Sequence, residues 1–404
     1  MDERDVVDEV FERLLRTRGI FKNREVLRSD FIPEKLPHRE KEIRKLAEIL
    51  APILKGIRGS NILIYGKPGT GKTACIKKVI KKLQAKCEEL HLNNTLCYVN
   101  CRISGTAYRT LSSIATSVEV EVPFTGIATG EVYNRILRGL RKMDGMLVIT
   151  LDEIDTLAKN ANGDKVLYEL TRINENIGVG KVTLVGISND LTFKEYLDPR
   201  VLSSLSEEEV LFRPYNAEEL TDILKERAKE AFYKNALEEG VIEYCAALAA
   251  REHGDARRAL ELLRVAGEIA ERKGDNVVTL ESVDMALKTI EEDRYFESIR
   301  TLPLHSRLLL LCIFQKTQNN KRTTTGEVYQ LYTTLCGELG LDPLTHRRAS
   351  TLINELEVSG IILCKIVSQG RYGRTRRISL NIPKKILIRA LKADPHLEGM
   401  LPEN

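Results

Sequence analysis

Short apolar runs alternate with amphipathic segments throughout residues 60–212. The apolar runs have the length and composition of strands, and they cover residues 61–65, 96–101, 145–151, 181–187 and 209–212. Between them, apolar side chains recur at helical spacing, which predicts helices to about residue 84 and over 105–118, 131–141 and 164–177. Strands that alternate with helices pair in parallel, so the pattern predicts a five-stranded parallel sheet with helices on both faces.

Two amphipathic segments precede this unit. Apolar side chains at helical spacing predict an N-terminal helix over residues 1–20 and a second helix over roughly 38–57. Residues 29–37 lie between them and contain two prolines, so we expect an extended connector there.

After Pro214 the pattern changes to almost pure helix. Four amphipathic segments predict a small helical bundle, and they cover residues 217–232, 237–252, 255–272 and 280–294. Three further helices, at 304–316, 325–337 and 345–358, precede a short strand and a glycine-containing hairpin, the order of a winged helix. The sequence therefore predicts three domains, 1–215, 216–296 and 297–395.

The first strand runs into a glycine-rich turn that opens a helix. This turn, called the phosphate loop below, consists of Gly66, Lys67, Pro68, Gly69, Thr70, Gly71, Lys72 and Thr73. Glycines allow the tight winding that points successive N–H groups at phosphate oxygens, and the helix N-terminus adds partial positive charge. We expect Lys72 to reach the β- and γ-phosphates and the Thr73 hydroxyl to bind Mg²⁺.

The strand at 146–151 ends in two carboxylates, Asp152 and Glu153. Parallel sheets bind ligands at the carboxyl ends of their strands, so these side chains should lie beside the phosphate loop. Asp152 is expected to hold Mg²⁺ through water, and Glu153 to act as the general base for an attacking water. The alternative is that the two residues cap the next helix.

Three more polar residues follow on later elements. Asn189, at the tip of the next strand, suits either orientation of the same water or a simple turn. Arg200, after a proline on a predicted short loop, suits either an arginine finger directed at a neighbouring subunit or a solvated side chain. Arg257 opens a helix, where a cation opposes the helix dipole, so it is better explained if it faces a bound anion.

The predicted winged helix carries two polar sets. Its third helix leaves a polar face outward, made of Arg347, Arg348, Ser350, Thr351 and Asn354. The hairpin that follows contains no acidic residue between 365 and 377 and carries Arg371, Tyr372, Arg374 and Arg376. Such side chains suit phosphates and base edges of duplex DNA, although a charged run is also typical of a solvated face and some winged helices bind proteins.

Composition limits the classes of protein. The 404 residues are 43% hydrophobic and 30% charged, as in globular proteins, and the net charge of +4 leaves DNA binding to local basic patches. No apolar run reaches the length of a membrane span, and the acidic start is unlike a signal peptide. Eight scattered cysteines indicate buried thiols in a reducing compartment rather than a zinc site, so we expect an intracellular protein.

Together these residues resemble the AAA+ ATPases. The phosphate loop and Asp152-Glu153 match their nucleotide site, with Asn189 at the sensor-one position and Arg257 at the sensor-two position. Further matches make residues 30–390 similar to the archaeal origin-recognition initiator family, related to eukaryotic origin recognition complex subunits and the cell-division-cycle loading factor. These matches are residues 31–40 (FIPEKLPHRE), 197–201 (LDPRV), 254–257 (GDAR) and the C-terminal winged helix.

The resemblance implies an α/β P-loop AAA+ domain, an all-α lid and a winged-helix DNA-binding domain. It implies slow hydrolysis of ATP to ADP with Mg²⁺. Beyond the phosphate loop, the nucleotide contacts that it implies are Ile32, Pro33, Leu36, His38, Arg39, Tyr215 and Arg257. It also implies a DNA-contacting insertion near 104–130, where this chain has Arg109, Gly126 and Thr129.

By resemblance, then, the chain is a cytoplasmic, chromosome-associated initiator that binds origin duplex DNA, switches with ATP, and acts with other initiator copies to load the replicative helicase. Two alternatives stay open. A clamp-loader-like motor would act mainly on a protein and would have a helical collar at its C-terminus. A STAND-type signalling ATPase would keep its winged helix off DNA, and the salt dependence of duplex binding separates it from an initiator.

Overall fold

The computed structural model describes residues 19–160, 162–178, 181–318, 323–368, 374–394 and 396–400. The chain divides into two compact units, Met1–Asp284 and Met285–Asn404. The predicted N-terminal helix lies almost wholly outside the described residues. Among the described residues, no helix combines the length and the apolar character that a membrane crossing requires.

The first unit contains the predicted five-stranded parallel sheet. Its strands are β1 (Ile62–Gly66), β2 (Thr95–Asn100), β3 (Leu147–Asp152), β4 (Val182–Ser188) and β5 (Glu208–Phe212), in the order β2-β3-β4-β1-β5. The register places Asp152 opposite Asn100 on one side and Ile187 on the other, and Tyr65 opposite Ser188. The polar strand ends therefore meet at one edge of the sheet, as the sequence predicted.

Helices cover both faces of this sheet. They are α1 (Glu40–Leu50), α2 (Lys72–Glu89), α3 (Cys101–Ser104), α4 (Ala107–Ser117), α5 (Thr129–Lys142), α6 (Ile154–Lys159), α7 (Gly163–Thr171), α8 (Ile173–Ile177), α9 (Phe193–Tyr196) and α10 (Pro199–Leu205). Alternate residues of β3 enter different cores: Ile149 packs in the cluster with α4 and α5, whereas Val148 packs with α1 and α2. This explains why the central strands are apolar on both faces.

Prolines account for two differences from the predicted helices. The helix expected over 38–57 ends at Leu50 and continues as a 3₁₀ helix, Ala51–Lys55, because Pro52 cannot donate the hydrogen bond that an α-helix requires there. The segment around Pro199 was predicted as a loop, but it forms α10, with proline in the first turn and Asp198 as the N-cap. The helix expected over 164–177 is divided into α7 and α8.

Three helices beyond the sheet form the lid: α11 (Ala217–Ala231), α12 (Val241–Arg251) and α13 (Ala256–Lys273). A longer helix, α14 (Leu280–Arg300), follows and crosses the division between the two units. The second lid helix was predicted from residue 237 but begins four residues later. Leu237 instead forms a β-bridge with Val278, and the Glu238 amide donates to the Val278 carbonyl.

The segment 20–31 packs on the lid, although the predicted division grouped it with the sheet. Phe21 bridges to Phe232, with ring centroids 4.8 Å apart, and the Ile20 amide donates to Glu271 Oε1 at 2.8 Å. A short 3₁₀ helix, Arg24–Leu27, contacts α11 and α13. Within the described residues, the polypeptide therefore contacts the lid before it enters the sheet.

The second unit is the predicted winged helix. Its elements are α15 (Leu304–Thr317), β6 (Thr323–Thr324), α16 (Thr325–Glu338), α17 (His346–Val358), β7 (Ile362–Ser368), β8 (Arg374–Leu380), α18 (Lys384–Lys392) and a 3₁₀ turn, Glu398–Met400. The strand β8 pairs with both β6 and β7, so the wing belongs to a three-stranded sheet.

The sequence analysis did not predict the helix α18, whose apolar side chains pack against α15. Seven successive residues of α15, 308–314, are buried, and a helix that is apolar all round must be covered on every side. Leu387 and Leu391 of α18 enter the same core as these residues. The helix α18 thus covers part of the apolar surface of α15, which the three predicted helices alone did not account for.

Candidate functional site

A cavity of about 970 Å³ opens at the carboxyl edge of the sheet, between the phosphate loop, the segment 28–37 and the start of α13. The structure brings many of the predicted site residues together in its lining: Ile32, Pro33, Leu36, Gly69, Thr70, Gly71, Lys72, Thr73, Asp152, Glu153, Asn189, Tyr215 and Arg257. These residues come from the sheet, the lid and the connector, so the cavity is assembled from distant parts of the chain.

The phosphate loop is wound as the glycine spacing predicted. Gly71 has φ +90°, and a Cβ built on it would lie 2.8 Å from Tyr215 Oη. Gly66, Lys67 and Pro68 lie outside the cavity lining. The carbonyls of Gly66 and Lys67 each accept a hydrogen bond from Lys72 Nζ at 2.7 Å, so they act on the site through the lysine.

Lys72 is buried, with 4% of its surface exposed. Burial, reinforced by the positive charge of Arg257, lowers the pKa of Lys72 to about 8. Its ammonium is therefore still protonated near neutral pH. A bound phosphate supplies the opposite charge that this buried cation otherwise obtains from Asp152 and two backbone carbonyls.

The Asp152 carboxylate is buried and hydrogen-bonded on both oxygens. Oδ2 accepts from the Thr73 hydroxyl at 3.0 Å and from the Tyr98 hydroxyl at 2.6 Å, while Oδ1 accepts from the Glu153 amide at 3.0 Å. A carboxylate and a hydroxyl that meet beside a phosphate loop are the hard oxygen ligands that suit Mg²⁺. Thr73 and Asp152 therefore fit a magnesium ion.

Tyr98 was missed by the sequence analysis. Burial and the hydrogen bond to Asp152 raise the pKa of its phenol, so it remains a donor. The available signal was its place two residues before the end of β2, on the same face as Asn100. That signal becomes informative only when β2 is known to pair with β3.

Glu153 lies at the junction of β3 and α6 with φ +53°. Glu153 is the N-cap residue of α6, but its side chain makes no capping hydrogen bond to an N–H group among the described residues. The alternative, that the residue serves as a helix cap, therefore lacks the hydrogen bond that it requires. The Oε2 of Glu153 lies 3.7 Å from Arg102 Nη1. Asp155, two residues further on, accepts hydrogen bonds from the Ser188 hydroxyl at 3.0 Å and from the backbone N–H of Asn189 at 3.3 Å, and so ties the tip of β4 to α6.

The lid reaches the phosphate loop through the start of α13. The Ala256 amide donates to the Gly69 carbonyl at 3.2 Å, and Asp255 caps the helix by accepting from the Arg257 amide at 2.8 Å. The position of Arg257 in the cavity is therefore set by a direct contact between lid and loop. Asp255 is a further residue that the sequence analysis treated only as a helix start.

Residues 28–39, called the strap below, cross the cavity from the lid to the sheet. At the lid end, Arg227 of α11 donates to the Val26 carbonyl at 3.2 Å and stacks 4.8 Å from the Phe31 ring centroid. At the sheet end, Lys78 of α2 donates to the Glu34 carbonyl. Ile32 and Pro33 line the cavity from the span between these two anchors, and Leu36 lines it two residues beyond the second anchor.

Besides Gly66, Lys67 and Pro68, two further predicted nucleotide contacts lie outside the cavity lining, Arg39 and His38. Arg39 is buried and its guanidinium donates to the Thr70 carbonyl at 3.0 Å and the Arg213 carbonyl at 2.6 Å, 3.9 Å from the Tyr215 ring centroid. Its donors are thus used to hold the backbone of the phosphate loop. His38 is turned away from the cavity, and its Nε2 lies 2.9 Å from Asp222 Oδ2 on the lid.

Arg200 also lies outside the cavity. Its guanidinium pairs with Asp198, with Nη2 2.9 Å from Oδ2, and lies 5.3 Å from the Tyr168 ring centroid. The side chain is 65% exposed. A finger directed at another subunit therefore stays a prediction.

The polar face of α17 is outward as predicted. Arg347, Arg348, Thr351 and Asn354 are exposed and Ser350 is half-buried. Arg348 lies 3.8 Å from Glu355, and Arg376 of β8 donates to Asn354 Oδ1. Arg371 and Tyr372 lie outside the described residues, and Arg374 is described only by its backbone at the start of β8.

The insertion near 104–130 folds back on α4. Its loop is tied down by Tyr108, whose hydroxyl donates to the Pro123 carbonyl, and Arg109 lies 5.6 Å from the ring centroid of Phe124. The Phe124 side chain is 79% exposed. Gly126 has φ +101° and Thr129 is the first residue of α5. A DNA contact from these residues stays a prediction.

Three family models match successive parts of the chain. Residues 57–192 match the AAA domain, residues 221–288 the Cdc6 AAA+ ATPase-type lid domain, and residues 297–390 the CDC6 C-terminal winged helix domain.

The ORC1-type DNA replication protein 1 of Archaeoglobus fulgidus is 50% identical over 391 residues, 97% of this chain and 95% of that protein. The ORC1-type DNA replication protein of Pyrococcus abyssi is 54% identical over 94% of this chain and 92% of that protein. Among solved structures, the Aeropyrum pernix ORC1 protein in complex with DNA is 49% identical, with a TM-score of 0.84 and coverage of 95% of this chain and 99% of that one.

Proposed function

The chain belongs to the ORC1-type DNA replication proteins, as a replication initiator with an AAA+ ATPase domain and a winged helix, and we propose that it binds origin duplex DNA under the control of its nucleotide state. The observation that carries this proposal is the cavity, where the phosphate loop, Asp152-Glu153 and Arg257 of the lid meet. A nucleotide in that cavity contacts the sheet and the lid at the same time, so a change in its phosphates can change the position of the lid.

ATP or ADP is held by three sets of contacts in this proposal. The N–H groups of the phosphate loop and Lys72 bind the phosphates. Thr73 and Asp152 would hold Mg²⁺, which would neutralise negative charge on the phosphate oxygens. Ile32, Pro33 and Leu36 provide an apolar wall for the base, and Tyr215 lines the same cavity. Arg39 holds the backbone of the phosphate loop rather than the ligand.

Hydrolysis then depends on charges already in place around the cavity. Glu153 accepts a proton from the attacking water, and Asn189, held by Asp155, orients that water. Lys72 and Arg257 stabilise the negative charge that develops on the transferred phosphate oxygens. Because Arg257 belongs to the lid, hydrolysis changes the contacts between lid and sheet.

Duplex DNA is proposed to bind the winged helix. Arg347, Arg348, Thr351 and Asn354 of α17 are exposed on one element, and Arg376 of β8 contacts the same helix, so their groups form one basic surface. The solved ORC1 relative, a structure in complex with DNA, covers 95% of this chain. We propose that Arg371, Tyr372 and Arg374 extend the surface, with Arg109, Gly126 and Thr129 as a second contact.

The proposal extends to chromosomal localisation in the cytoplasm, to other initiator copies reached by Arg200, and to help in loading the replicative helicase. The clamp-loader alternative is wrong in its structural requirement, because the C-terminal unit is a winged helix and not a helical collar. The signalling alternative differs in one measurable property, the affinity for duplex DNA.

Footprinting on genomic DNA, combined with duplex affinity at several salt concentrations, tests the proposal. We expect discrete protected sites, and a double variant, Arg347→Ala with Arg376→Ala, should lower the salt slope by about two. Arg389→Ala is the matched control, because Arg389 is also exposed but pairs with Asp293 on α14. A wild type without discrete protection and without salt dependence would favour the signalling ATPase.

A further inference from the structure

Tyr98 stands at the edge of the nucleotide cavity with a role that the phosphate loop and the strand-end carboxylates leave unassigned. Its hydroxyl lies 2.6 Å from Asp152 Oδ2 and the residue is 39% exposed. We propose that Tyr98 is a positioning residue, which fixes the Asp152 carboxylate for Mg²⁺ and so sets the magnesium affinity of the nucleotide complex. This inference rests on the proposed role of Asp152 as the residue that holds the metal.

The hydrogen bonds around Asp152 restrict rotation of its carboxylate. Oδ2 lies between two hydroxyls, those of Thr73 and Tyr98, and Oδ1 accepts from the Glu153 amide. Rotation about the terminal bond of an aspartate is otherwise broad. Of the three donors, Thr73 is itself a predicted magnesium ligand and the Glu153 amide belongs to the backbone, so Tyr98 is the donor committed to orientation alone.

A purely structural role does not account for this tyrosine. The ring lies outside the hydrophobic clusters on either face of the sheet, and its face contacts Lys77 Nζ, 4.6 Å from the centroid. Although the residue as a whole is 39% exposed, its hydroxyl is partly buried and is directed at the Asp152 carboxylate. Partners that orient a metal-binding group in this way typically change metal affinity 10- to 100-fold when they are removed.

The test is a magnesium titration of nucleotide binding. A fluorescent ADP analogue is bound to the full chain in EDTA, and Mg²⁺ is then added to find the half-saturating concentration. We expect Tyr98→Phe to raise that concentration about tenfold, while the metal-free affinity for the analogue stays within about twofold because the phosphate contacts are unchanged.

Tyr65→Phe is the matched control. Tyr65 is the penultimate residue of β1, next to the phosphate loop, but its hydroxyl donates to Glu209 at 3.1 Å, outside the cavity. This variant should keep the wild-type magnesium dependence. A Tyr98→Phe variant with the wild-type half-saturating concentration overturns the inference, as does one that loses metal-free affinity equally, since that result indicates general damage.

Asp152→Asn distinguishes failure of the inference from failure of the site on which it depends. If Asp152→Asn changes the magnesium dependence and Tyr98→Phe does not, Asp152 holds the metal and Tyr98 plays no part. If neither variant changes it, or the wild type shows no magnesium dependence, the proposed metal site is itself wrong.

Discussion

Asp255 of the lid lies directly against Gly69 of the phosphate loop: a Cβ built on Gly69 would stand 1.6 Å from Asp255 Oδ1. The glycine is therefore required for two reasons, its φ of +70° and the approach of a second domain element. The lid and the phosphate loop are in direct contact at Gly69, where no space is left for a side chain. A displacement of the lid helix α13 therefore displaces the phosphate loop, and the reverse.

Gly69→Ala should displace the lid helix α13 and lower ADP affinity at least tenfold, because Asp255 and Arg257 must move away together. The measurement is equilibrium binding of a fluorescent ADP analogue. Gly178→Ala is the control, since Gly178 has a similar φ of +81° but its Cβ would meet nothing within 4 Å. Adding Asp255→Ala to Gly69→Ala should restore part of the affinity, and failure to do so would assign the loss to backbone strain alone.

The pKa of Lys72 predicts two effects of alkaline pH. Its folded-state value of about 8 lies below the ordinary 10.5, so between these values the unfolded chain binds more protons and the nucleotide-free protein gains stability as pH rises. Metal-free ADP affinity should fall over the same rise, because the deprotonated lysine no longer attracts phosphate. Titration in EDTA measures the second effect, and Lys72→Arg, which stays protonated, should show a flatter profile.

Arg227 anchors the lid end of the strap, so Arg227→Ala should loosen the wall that faces the base. We expect ADP to dissociate about tenfold faster, by loss of roughly 1.4 kcal/mol of ordering contacts. Stopped-flow displacement of a fluorescent analogue measures this rate. Lys229→Ala is the control on the same helix, because Lys229 is exposed and pairs with Glu226. Equal ADP dissociation rates in Arg227→Ala and Lys229→Ala would show that the anchor of the strap does not control nucleotide release.

The winged helix contains an ion pair between the half-buried Arg307 of α15 and the buried Asp394, with Nη1 3.1 Å from Oδ2 and Asp394 4% exposed. Asp394→Ala leaves the arginine without its partner and should destabilise this unit by about 3 kcal/mol. Chemical denaturation with a probe in the second unit measures the change. Replacing both residues, Arg307→Met with Asp394→Ala, should be less damaging than Asp394→Ala alone; an equally unstable double variant would point to lost packing instead.

Features encoded in contiguous sequence were predicted well. The phosphate loop, Asp152-Glu153 and the buried strands depend on local spacing and on the period of apolar residues. The structure forms the five strands as expected and brings residues 69–73 of the loop together with Asp152 and Glu153 in the cavity lining. Arg257 was also placed in the cavity from a local anomaly, a cation at a helix start, although Asp255 supplies the cap that makes this start stable.

Contacts between distant residues were beyond the same reasoning. The bond between Tyr98 and Asp152 joins residues 54 positions apart, and it depends on the strand order rather than on either residue's neighbours. The position of Arg39 depends on distant residues in the same way. An arginine there suits a ligand contact, but its donors are directed to the carbonyls of Thr70 and Arg213.

The docking of residues 20–31 on the lid has a consequence for the order in which the chain folds during synthesis. Ile20 bonds to Glu271, 251 residues later, so its partner does not exist until most of the first unit has left the ribosome. Domains generally fold as their sequence emerges, and long loops close late. We expect chains arrested before Glu271 to show a folded sheet while residues 20–31 are still open to protease. Residues 20–31 are then among the last described parts of the first unit to become ordered, and the wall of the nucleotide cavity is completed only at that point.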